Sequence, residues 1–412
     1  QLSSLRIALF TEVFLPKIDG VVTRIMRTME QLEQLGHEVE VFAPGHPPTQ
    51  YAGHRVHSVR SLSFKPWYPE IRVGLPTGRI ATRMAEFEPD IVHAVNPVWL
   101  SAYGVLSARR RNLPLLASFH TDVPHYTEAL GLNLLRHPSE SWIRWLHNQA
   151  ELNLCTSGPM VERARTVGIQ DVDLWPKGVD TVAYTPENAD RAMRERLSDG
   201  HPEAPLIVYV GRVSKEKNLD ELLEPIRRLP RARLAIVGSG PHKEALQEQF
   251  AGTNTVFTGY MSGLELAQAY ASADVFAFPS RSETLGLVAL EAFASGVPVV
   301  GARAGGIPFV IDEGVTGHLV EPGDADQLTE ALRGLLEDPQ RRARMAQAAR
   351  DEALKHSWRA STEALVDFYT EAIERHWRDH VPAGPMLKLV GAADQRALRL
   401  PPAIRKYTDL LP

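Results

Sequence analysis

The sequence predicts an α/β protein with two domains, each built from parallel strands and the helices that connect them. Short apolar runs alternate with segments whose apolar residues recur at helical spacing, which is typical of β-α units. The chain has 412 residues, more than one hydrophobic core usually holds, and domains of about 150 to 200 residues account for that length. A polar run at residues 185–205 precedes a second series of β-α units. The chain is therefore expected to divide near residue 182.

These patterns give four segments. Residues 1–182 form a first domain, and residues 183–357 form a second. A long helical pattern covers residues 358–381, and a tail covers residues 382–412, where five Lys or Arg oppose two Asp. A basic tail of this kind is suited to an anionic membrane surface, and a loosely ordered tail is the alternative.

Composition narrows the class of protein. A formal charge of −5 gives no reason to expect nucleic acid as a partner. The single cysteine, Cys155, excludes an intramolecular disulfide and is predicted to be a small buried hydrophobe. No apolar run approaches the roughly 18 to 20 residues that span a bilayer, and a strand begins near Leu5 in place of a signal peptide. We expect a cytoplasmic protein that is peripheral on the cytoplasmic face of the membrane.

Candidate ligand contacts in the first domain begin with Gly20. Strands are predicted at residues 5–13, 37–43, 91–96 and 113–119, and a helix at residues 21–35. Ligands of parallel β-α units lie at the carboxyl ends of the strands, and Gly20 lies at that edge without a Cβ to hinder a ligand. Lys17 and Arg24 flank it as candidate anion contacts. A plain loop glycine between surface charges is the alternative.

Polar side chains cluster where the strand at residues 113–119 gives way to a loop. His120, Asp122 and His125 all lie in the first six residues after the strand. Their position at a carboxyl edge favours contact with a ligand, and a structural histidine is the alternative.

A helix is predicted within residues 133–148, where Trp142 and Trp145 alternate with Arg144 and other basic side chains. Aromatic residues beside basic ones are typical of a membrane interface. The alternative is an ordinary domain helix that packs both tryptophans into a core.

The second domain begins with a new series of strands. They are predicted at residues 206–211, 232–238, 255–259, 275–278 and 297–301. Arg212 and Lys217 follow the first of these strands. The planar guanidinium of Arg212 and the compact ammonium group of Lys217 are both suited to binding a diphosphate. The alternative is that both are solvated surface cations. Gly238 and Gly240 lack the third glycine of a dinucleotide fingerprint, so they favour a plain strand-to-helix turn.

The most informative stretch is residues 278–308, FPSRSETLGLVALEAFASGVPVVGARAGGIP. A helix is predicted at residues 286–295, and the free backbone N–H groups at its start suit a phosphate. The residues at this start are Thr284, Leu285, Gly286 and Leu287. Glu283 suits sugar hydroxyls, and Glu291, eight positions later, suits another part of the same ligand. Two solvated surface glutamates are the alternative.

The S-E-T-L-G-L pattern, the E-x7-E spacing and the A-R-A-G-G-I-P run together resemble the nucleotide-sugar site of retaining glycosyltransferases of family four. The resemblance covers residues 5–377. It implies the GT-B architecture, in which two Rossmann-like α/β domains face each other across a cleft and a C-terminal helix crosses back to the first domain. More narrowly, residues 173–180 and 282–308 resemble the sulfoquinovosyltransferases that make the sulfolipid of photosynthetic membranes.

The resemblance also implies residue roles. The implied catalytic set is His120, Arg212, Lys217 and Glu283. The implied donor-binding set is Gly20, Arg212, Lys217, Glu283, Thr284, Leu285, Gly286, Leu287 and Glu291. Arg212 and Lys217 would stabilise the leaving diphosphate, and Glu283 would hold sugar hydroxyls. Glu291 would hold the ribose, and His120 would contact the transferred sugar near its reacting centre.

The implied reaction moves sulfoquinovose from UDP-sulfoquinovose to diacylglycerol in sulfolipid (SQDG) synthesis. The candidate acceptor or sulfonate side comprises Lys17, Arg24, Asp122, His125, Trp142 and Trp145. Such relatives tend to carry a histidine where this chain has Asp122, and a carboxylate there would repel a sulfonate. Two alternatives therefore stay open: a hexosyltransferase that uses UDP-glucose, UDP-glucuronate or GDP-mannose with a glycolipid or soluble acceptor, and a non-catalytic two-domain sugar-binding protein.

No metal or other cofactor is expected. Two D-x-D triplets occur, at residues 171–173 and 324–326. Asp324 and Asp326 precede a helical pattern and are better explained as helix caps, whereas the first triplet flanks the start of a strand. Arg212 and Lys217 already supply positive charge.

Overall fold

The computed structural model describes residues 4–17, 20–64, 68–74, 78–98, 100–120, 136–283 and 286–380. It divides into two compact units. The first unit comprises three segments: the chain up to Thr156, Met160–Pro176, and the chain from Ser361 onward. The second unit comprises Ser157–Pro159 and Lys177–Ala360.

Strands and helices alternate along most of the described chain. The strands are β1 (Arg6–Thr11), β2 (Glu38–Pro44), β3 (Gln50–Tyr51), β4 (His54–Val59), β5 (Ser61–Phe64), β6 (Tyr68–Gly74), β7 (Ile91–Val95), β8 (Leu115–Phe119), β9 (Leu152–Cys155), β10 (Val172–Leu174), β11 (Leu206–Val210), β12 (Arg233–Val237), β13 (Thr255–Gly259), β14 (Val275–Phe278), β15 (Val299–Ala302) and β16 (Gly317–Val320). The helices are α1 (Gly20–Gln34), α2 (Gly78–Phe87), α3 (Leu100–Arg110), α4 (Arg136–His147), α5 (Gly158–Thr166), α6 (Arg191–Leu197), α7 (Leu223–Arg228), α8 (Lys243–Gln249), α9 (Gly263–Ala271), α10 (Leu287–Ala294), α11 (Ala325–Glu337), α12 (Pro339–Lys355) and α13 (Trp358–His380).

The first unit is built on an eight-stranded sheet in the order β10-β9-β8-β7-β1-β2-β4-β3, parallel except between β3 and β4. Successive residues of β1 alternate between the two faces: Ile7 and Leu9 belong to one buried cluster, Ala8 and Phe10 to another. Helix α13 covers the first of these faces, where Tyr369 is buried in the cluster of Ile7 and Leu9. The predicted return of the last helix to the first domain is confirmed.

The second unit is built on six parallel strands in the order β13-β12-β11-β14-β15-β16. This is the doubly wound order 3-2-1-4-5-6, whose connections reverse direction between β11 and β14. Ligands of such sheets bind outside the carboxyl ends of the strands at this switch point. Arg212 follows β11 and Glu283 follows β14, so the topology brings both residues to that edge.

The core strands predicted from apolar runs are present, and their ends differ from the prediction by at most two residues. Cys155 is buried as expected, and burial raises the pKa of its thiol to about 12. Strands β3, β4, β9 and β16 and the antiparallel pair of β5 with β6 were not predicted, because two to seven residues carry too little periodicity to separate a short strand from a loop. Among the described residues, no helix has the length and apolar character needed to cross a bilayer.

The packing of α3 against β1 gives a test of the fold. A Cβ at Gly104 would lie 2.6 Å from Cγ of Phe10, which is fully buried and stacked on Phe42 with ring centroids 4.6 Å apart. We expect Gly104→Ala to lower the free energy of unfolding by about 1 to 3 kcal/mol in urea denaturation, because the ring has no room to move. Gly78→Ala is the control, since a Cβ there meets nothing within 4 Å. Equal stability of both variants would contradict this packing.

Candidate functional site

Lys217 and Glu283 form an ion pair at the switch-point edge of the second unit. Lys217 ends a short 3-10 turn after β11, and Glu283 lies in the loop after β14. Their side chains are 19% and 20% exposed. The ammonium group keeps further N–H donors and the carboxylate keeps further lone pairs, so the pair can still bind a phosphate and a hydroxyl group. Arg212, by contrast, is exposed.

Two glycines of the A-R-A-G-G-I-P run hold the loop that carries Glu283. The N–H group of Gly306 donates to the carbonyl oxygen of Glu283 at 2.6 Å. Gly305 has a φ of +60°, and a Cβ there would lie 2.5 Å from the same oxygen. Only glycine permits this approach at position 305, so the run fixes the backbone of Glu283.

Helix α10 begins at Leu287 after Gly286, whose left-handed backbone (φ 60°, ψ 32°) forms the N-cap. In the described part of this loop no side chain caps the helix, so its first N–H groups have no side-chain acceptor there. Leu287 is 40% exposed. Thr284 and Leu285 lie outside the described residues.

Glu291 lies in the middle of α10 and accepts a hydrogen bond from the hydroxyl of Tyr270 at 2.8 Å. Burial raises the pKa of Glu291, while the bond from Tyr270 and the charge of Lys177 act in the opposite direction. A carboxylate held by one phenol keeps lone pairs for two further hydroxyl groups. Tyr270 was not predicted, because a tyrosine within a helical pattern gives no sign of this contact.

Arg24 of the first unit is buried over the ring of Trp175, with Cζ 3.8 Å from the ring centroid. Its Nη2 donates to the carbonyl oxygens of Trp175 and Pro176 at 3.0 and 2.7 Å, and its buried Nε has no hydrogen-bond partner among the described residues. Burial lowers the pKa of the guanidinium to about 9. The surface-charge alternative is therefore wrong for Arg24: it is a desolvated cation, which is costly without an anion.

His120 is partly buried at the end of β8 and belongs to a chain of hydrogen bonds. Its Nε2 lies 2.8 Å from Ser118 Oγ, which lies 2.8 Å from His93 Nε2. His93 Nδ1 lies 2.6 Å from the hydroxyl of Tyr369 on α13. Burial, followed by the charge of Arg24, lowers the pKa of His93 to about 3 and holds that of His120 well below its usual range. Both imidazoles are therefore neutral.

Trp175 joins Arg24 to His120, since the imidazole of His120 meets its ring edge-on at a centroid distance of 5.7 Å. Gly20 begins α1 with space around it, because a Cβ there meets nothing within 4 Å. Lys17 is exposed in the loop before it. Asp122 and His125 lie outside the described residues. Sequence reasoning missed Trp175, although it lies within residues 173–180, which carry part of the narrower resemblance.

Trp142 and Trp145 lie on the exposed side of α4. They are 43% and 39% exposed, and their rings stack with centroids 5.5 Å apart. Arg109 lies 5.8 Å from the ring of Trp145. The alternative that packs both tryptophans into a core is wrong.

The aspartate triplets have structural roles in the described residues. Asp324 caps α11 by accepting from the N–H of Gln327, as predicted. Asp326 was also predicted to be a cap, but its carboxylate pairs with Arg228 on another helix. Asp171 pairs with Arg375. Within the described ranges, no three His, Cys, Asp or Glu side chains are grouped so as to hold a metal ion.

Two parallel-sheet α/β units with polar groups at their carboxyl edges match the GT-B architecture of glycosyltransferases. A family model described as Glycosyltransferase Family 4 matches residues 18–183, and one described as Glycosyl transferases group 1 matches residues 194–352. The chain belongs to this glycosyltransferase family.

Relatives within the family differ in the sugar they are named for. Sulfoquinovosyl transferase SQD2 of Arabidopsis thaliana is 41% identical over 383 residues, which cover 90% of this chain and 75% of that protein. A GDP-mannose-dependent alpha-mannosyltransferase of Mycobacterium tuberculosis is 36% identical and covers 88% of this chain and 96% of that protein.

Solved structures show the same fold at lower identity. Sucrose-phosphate synthase from Thermosynechococcus elongatus matches with a TM-score of 0.66 at 23% identity, covering 90% of this chain and 99% of that chain. HepE from Anabaena, solved in complex with UDP, matches with a TM-score of 0.67 at 17% identity, covering 89% and 100%.

The bond between Tyr270 and Glu291 predicts a pH dependence. Tyr270→Phe removes a donor that favours the carboxylate, so the pKa of Glu291 should rise further. If the ionised carboxylate binds ribose, affinity for UDP falls as the pH decreases through this pKa, and in Tyr270→Phe the fall should begin at a higher pH. Calorimetric titration with UDP across a pH series measures this.

Two further variants sharpen that measurement. Glu291→Gln cannot ionise, so its UDP affinity should be roughly tenfold or more weaker at neutral pH and should lack this pH dependence. Tyr260→Phe changes a tyrosine that is 76% exposed and serves as the control. Superimposable pH curves for wild type and Tyr270→Phe would remove Glu291 from the nucleotide site.

Proposed function

We propose that the protein is a retaining hexosyltransferase that moves sulfoquinovose from UDP-sulfoquinovose to diacylglycerol in sulfolipid synthesis. Its similarity to a sulfoquinovosyl transferase, at 41% identity over 90% of the chain, supports this donor. Retention of the anomeric configuration is proposed from the resemblance to family four alone.

The observation that carries the proposed donor is the buried guanidinium of Arg24. It lies over Trp175, it has no carboxylate partner among the described residues, and its Nε is unpaired. A sulfonate is a permanent anion whose oxygens accept hydrogen bonds from such a fork. The neutral hydroxymethyl group of glucose or mannose would leave the buried charge uncompensated. We therefore propose that Arg24 and His120, both in the first domain, contact the transferred sugar.

The second unit would hold the nucleotide and the leaving group. Arg212 and Lys217, with the first N–H groups of α10, would stabilise negative charge as it develops on the diphosphate. Glu283 would accept from sugar hydroxyls and Glu291 from the ribose. HepE, which shares the fold, was solved in complex with UDP, and this supports a nucleotide-activated donor.

Mannosyl transfer from GDP-mannose is the second candidate function. Three relatives named GDP-mannose-dependent alpha-mannosyltransferase are 36%, 32% and 34% identical to this chain. Asp122 also favours a neutral sugar, since a carboxylate accepts a hydrogen bond from a hydroxymethyl group and repels a sulfonate.

A donor panel separates these candidates. Nucleotide release from UDP-sulfoquinovose, UDP-glucose, UDP-glucuronate and GDP-mannose is measured with and without diacylglycerol. We expect at least a tenfold preference for UDP-sulfoquinovose over UDP-glucose, about 1.4 kcal/mol, because Arg24 pairs with the sulfonate. Equal or better use of UDP-glucose, UDP-glucuronate or GDP-mannose would reject the sulfoquinovosyl donor and leave glycosyl transfer intact.

Two arginines on the same helix give the matched variants for this panel. Arg24→Gln should lose the preference for the sulfonated donor, because it removes the buried cation. Arg27→Gln should keep it, since Arg27 is 46% exposed and pairs with Glu30. A preference that survives Arg24→Gln in a folded enzyme would show that another group binds the sulfonate.

We also propose that the protein works at the membrane surface, because diacylglycerol resides in the bilayer. The support is the exposed, stacked pair of Trp142 and Trp145 beside Arg109, a combination suited to the lipid interface. The basic tail at residues 382–412 is a second candidate contact.

Vesicle binding tests this contact. Replacing both Trp142 and Trp145 by alanine should weaken binding to diacylglycerol-containing anionic vesicles by about tenfold or more, because the indole rings would otherwise enter the interface. Binding should also fall as salt screens the basic groups. Leu174→Ala, at a residue 44% exposed, is the control. If neither the double variant nor truncation at Pro382 changes binding, both contacts are rejected.

A further inference from the structure

The hydrogen-bond chain behind His120 has a direction that its partners determine. At its far end, the hydroxyl of Tyr369 is fully buried, and its one hydrogen-bond partner among the described residues is His93 Nδ1, 2.6 Å away. A buried hydroxyl proton without an acceptor is costly, so this proton points to His93 Nδ1.

This first donor then fixes which atom donates in each later hydrogen bond of the chain. His93 is neutral, so with Nδ1 accepting it carries its proton on Nε2 and donates to Ser118 Oγ. The single proton of Ser118 remains for Nε2 of His120, 2.8 Å away. His120 is also neutral, and with Nε2 accepting it must carry its proton on Nδ1. The reverse direction would leave the proton of Tyr369 buried without an acceptor.

We propose that Tyr369, His93 and Ser118 are positioning residues that hold His120 as the Nδ1–H tautomer, so that this nitrogen can donate a hydrogen bond to the transferred sugar and cannot accept one. Arg24, which shares Trp175 with His120, also has only donors to offer. Two donors that contact the same indole ring match a group that only accepts, such as a sulfonate. The contact with the sugar and the match to a sulfonate rest on the proposed function, whereas the proton order does not.

The proton order can be read directly by NMR on the full-length wild-type enzyme with ¹⁵N-labelled histidine. The chain contains 15 histidines, and the His93→Gln and His120→Gln variants identify the two ring systems by loss of their signals. We expect opposite tautomers, Nε2–H for His93 and Nδ1–H for His120. An Nε2–H ring or a mixture of tautomers at His120 would overturn the proposal whatever sugar the enzyme transfers.

Tyr369→Phe tests the effect on the reaction. It removes the proton that sets the direction, so both histidines should become mixtures of tautomers, and kcat/KM for the preferred donor should fall about tenfold. Affinity for UDP alone should not change, because Tyr369 lies on α13 in the first unit. Tyr51→Phe, which loses a hydroxyl bonded to Glu30 in the same unit, is the control and should keep wild-type tautomers and rates.

The remaining outcomes are also decisive. Unchanged tautomers or unchanged turnover in Tyr369→Phe would overturn the positioning role, and so would an equal loss of UDP affinity, since that is the signature of general damage to the fold. If Tyr369→Phe does not fold, the wild-type spectrum alone decides the proton order. Expected tautomers together with a preference for GDP-mannose would reject the sulfonate and keep the positioning chain.

Discussion

Parallel pairing of strands is the constraint on which both units depend. It sends all six strands of the second sheet, and all strands but β3 of the eight-stranded sheet, in one direction, so the loops that follow these strands collect at a single edge. In the second unit, this edge holds the residues after β11 and β14, which lie far apart in sequence and adjacent in the sheet. The pair of Lys217 and Glu283 is a direct consequence of that order.

The cations of the two units differ in burial and in counterion, and this difference bears on ligand binding. Lys217 is partly exposed and neutralised by a carboxylate, so it needs no ligand to be stable. Arg24 is buried against Trp175 with two backbone carbonyls and an unpaired Nε–H group. Burial without a counterion is unfavourable for folding, and an anionic ligand that completes the site recovers this cost on binding.

The two histidines near Arg24 carry no charge. His93 and His120 are neutral because burial and the neighbouring guanidinium both disfavour a second positive charge. Neutral imidazoles must divide their two nitrogens between donating and accepting, which gives the chain from Tyr369 to His120 a direction. Helix α13 thus contributes Tyr369 to the hydrogen-bond chain that ends at His120.

The sequence by itself determined the class of fold and much of the candidate site in the second unit. Buried parallel strands are continuous apolar runs, which the sequence shows directly. The candidate site residues within 278–308 lie close together along the chain, so the local pattern was sufficient to find Glu283, Gly286 and Glu291. Only the tertiary structure decided which groups meet across long separations. Tyr369 forms a hydrogen bond with His93, and Arg24 donates one to the carbonyl oxygen of Trp175. Each of these contacts joins segments about 150 or more residues apart. Periodicity records which face of a helix is buried and not what lies opposite it, which is why these partners were absent from the prediction.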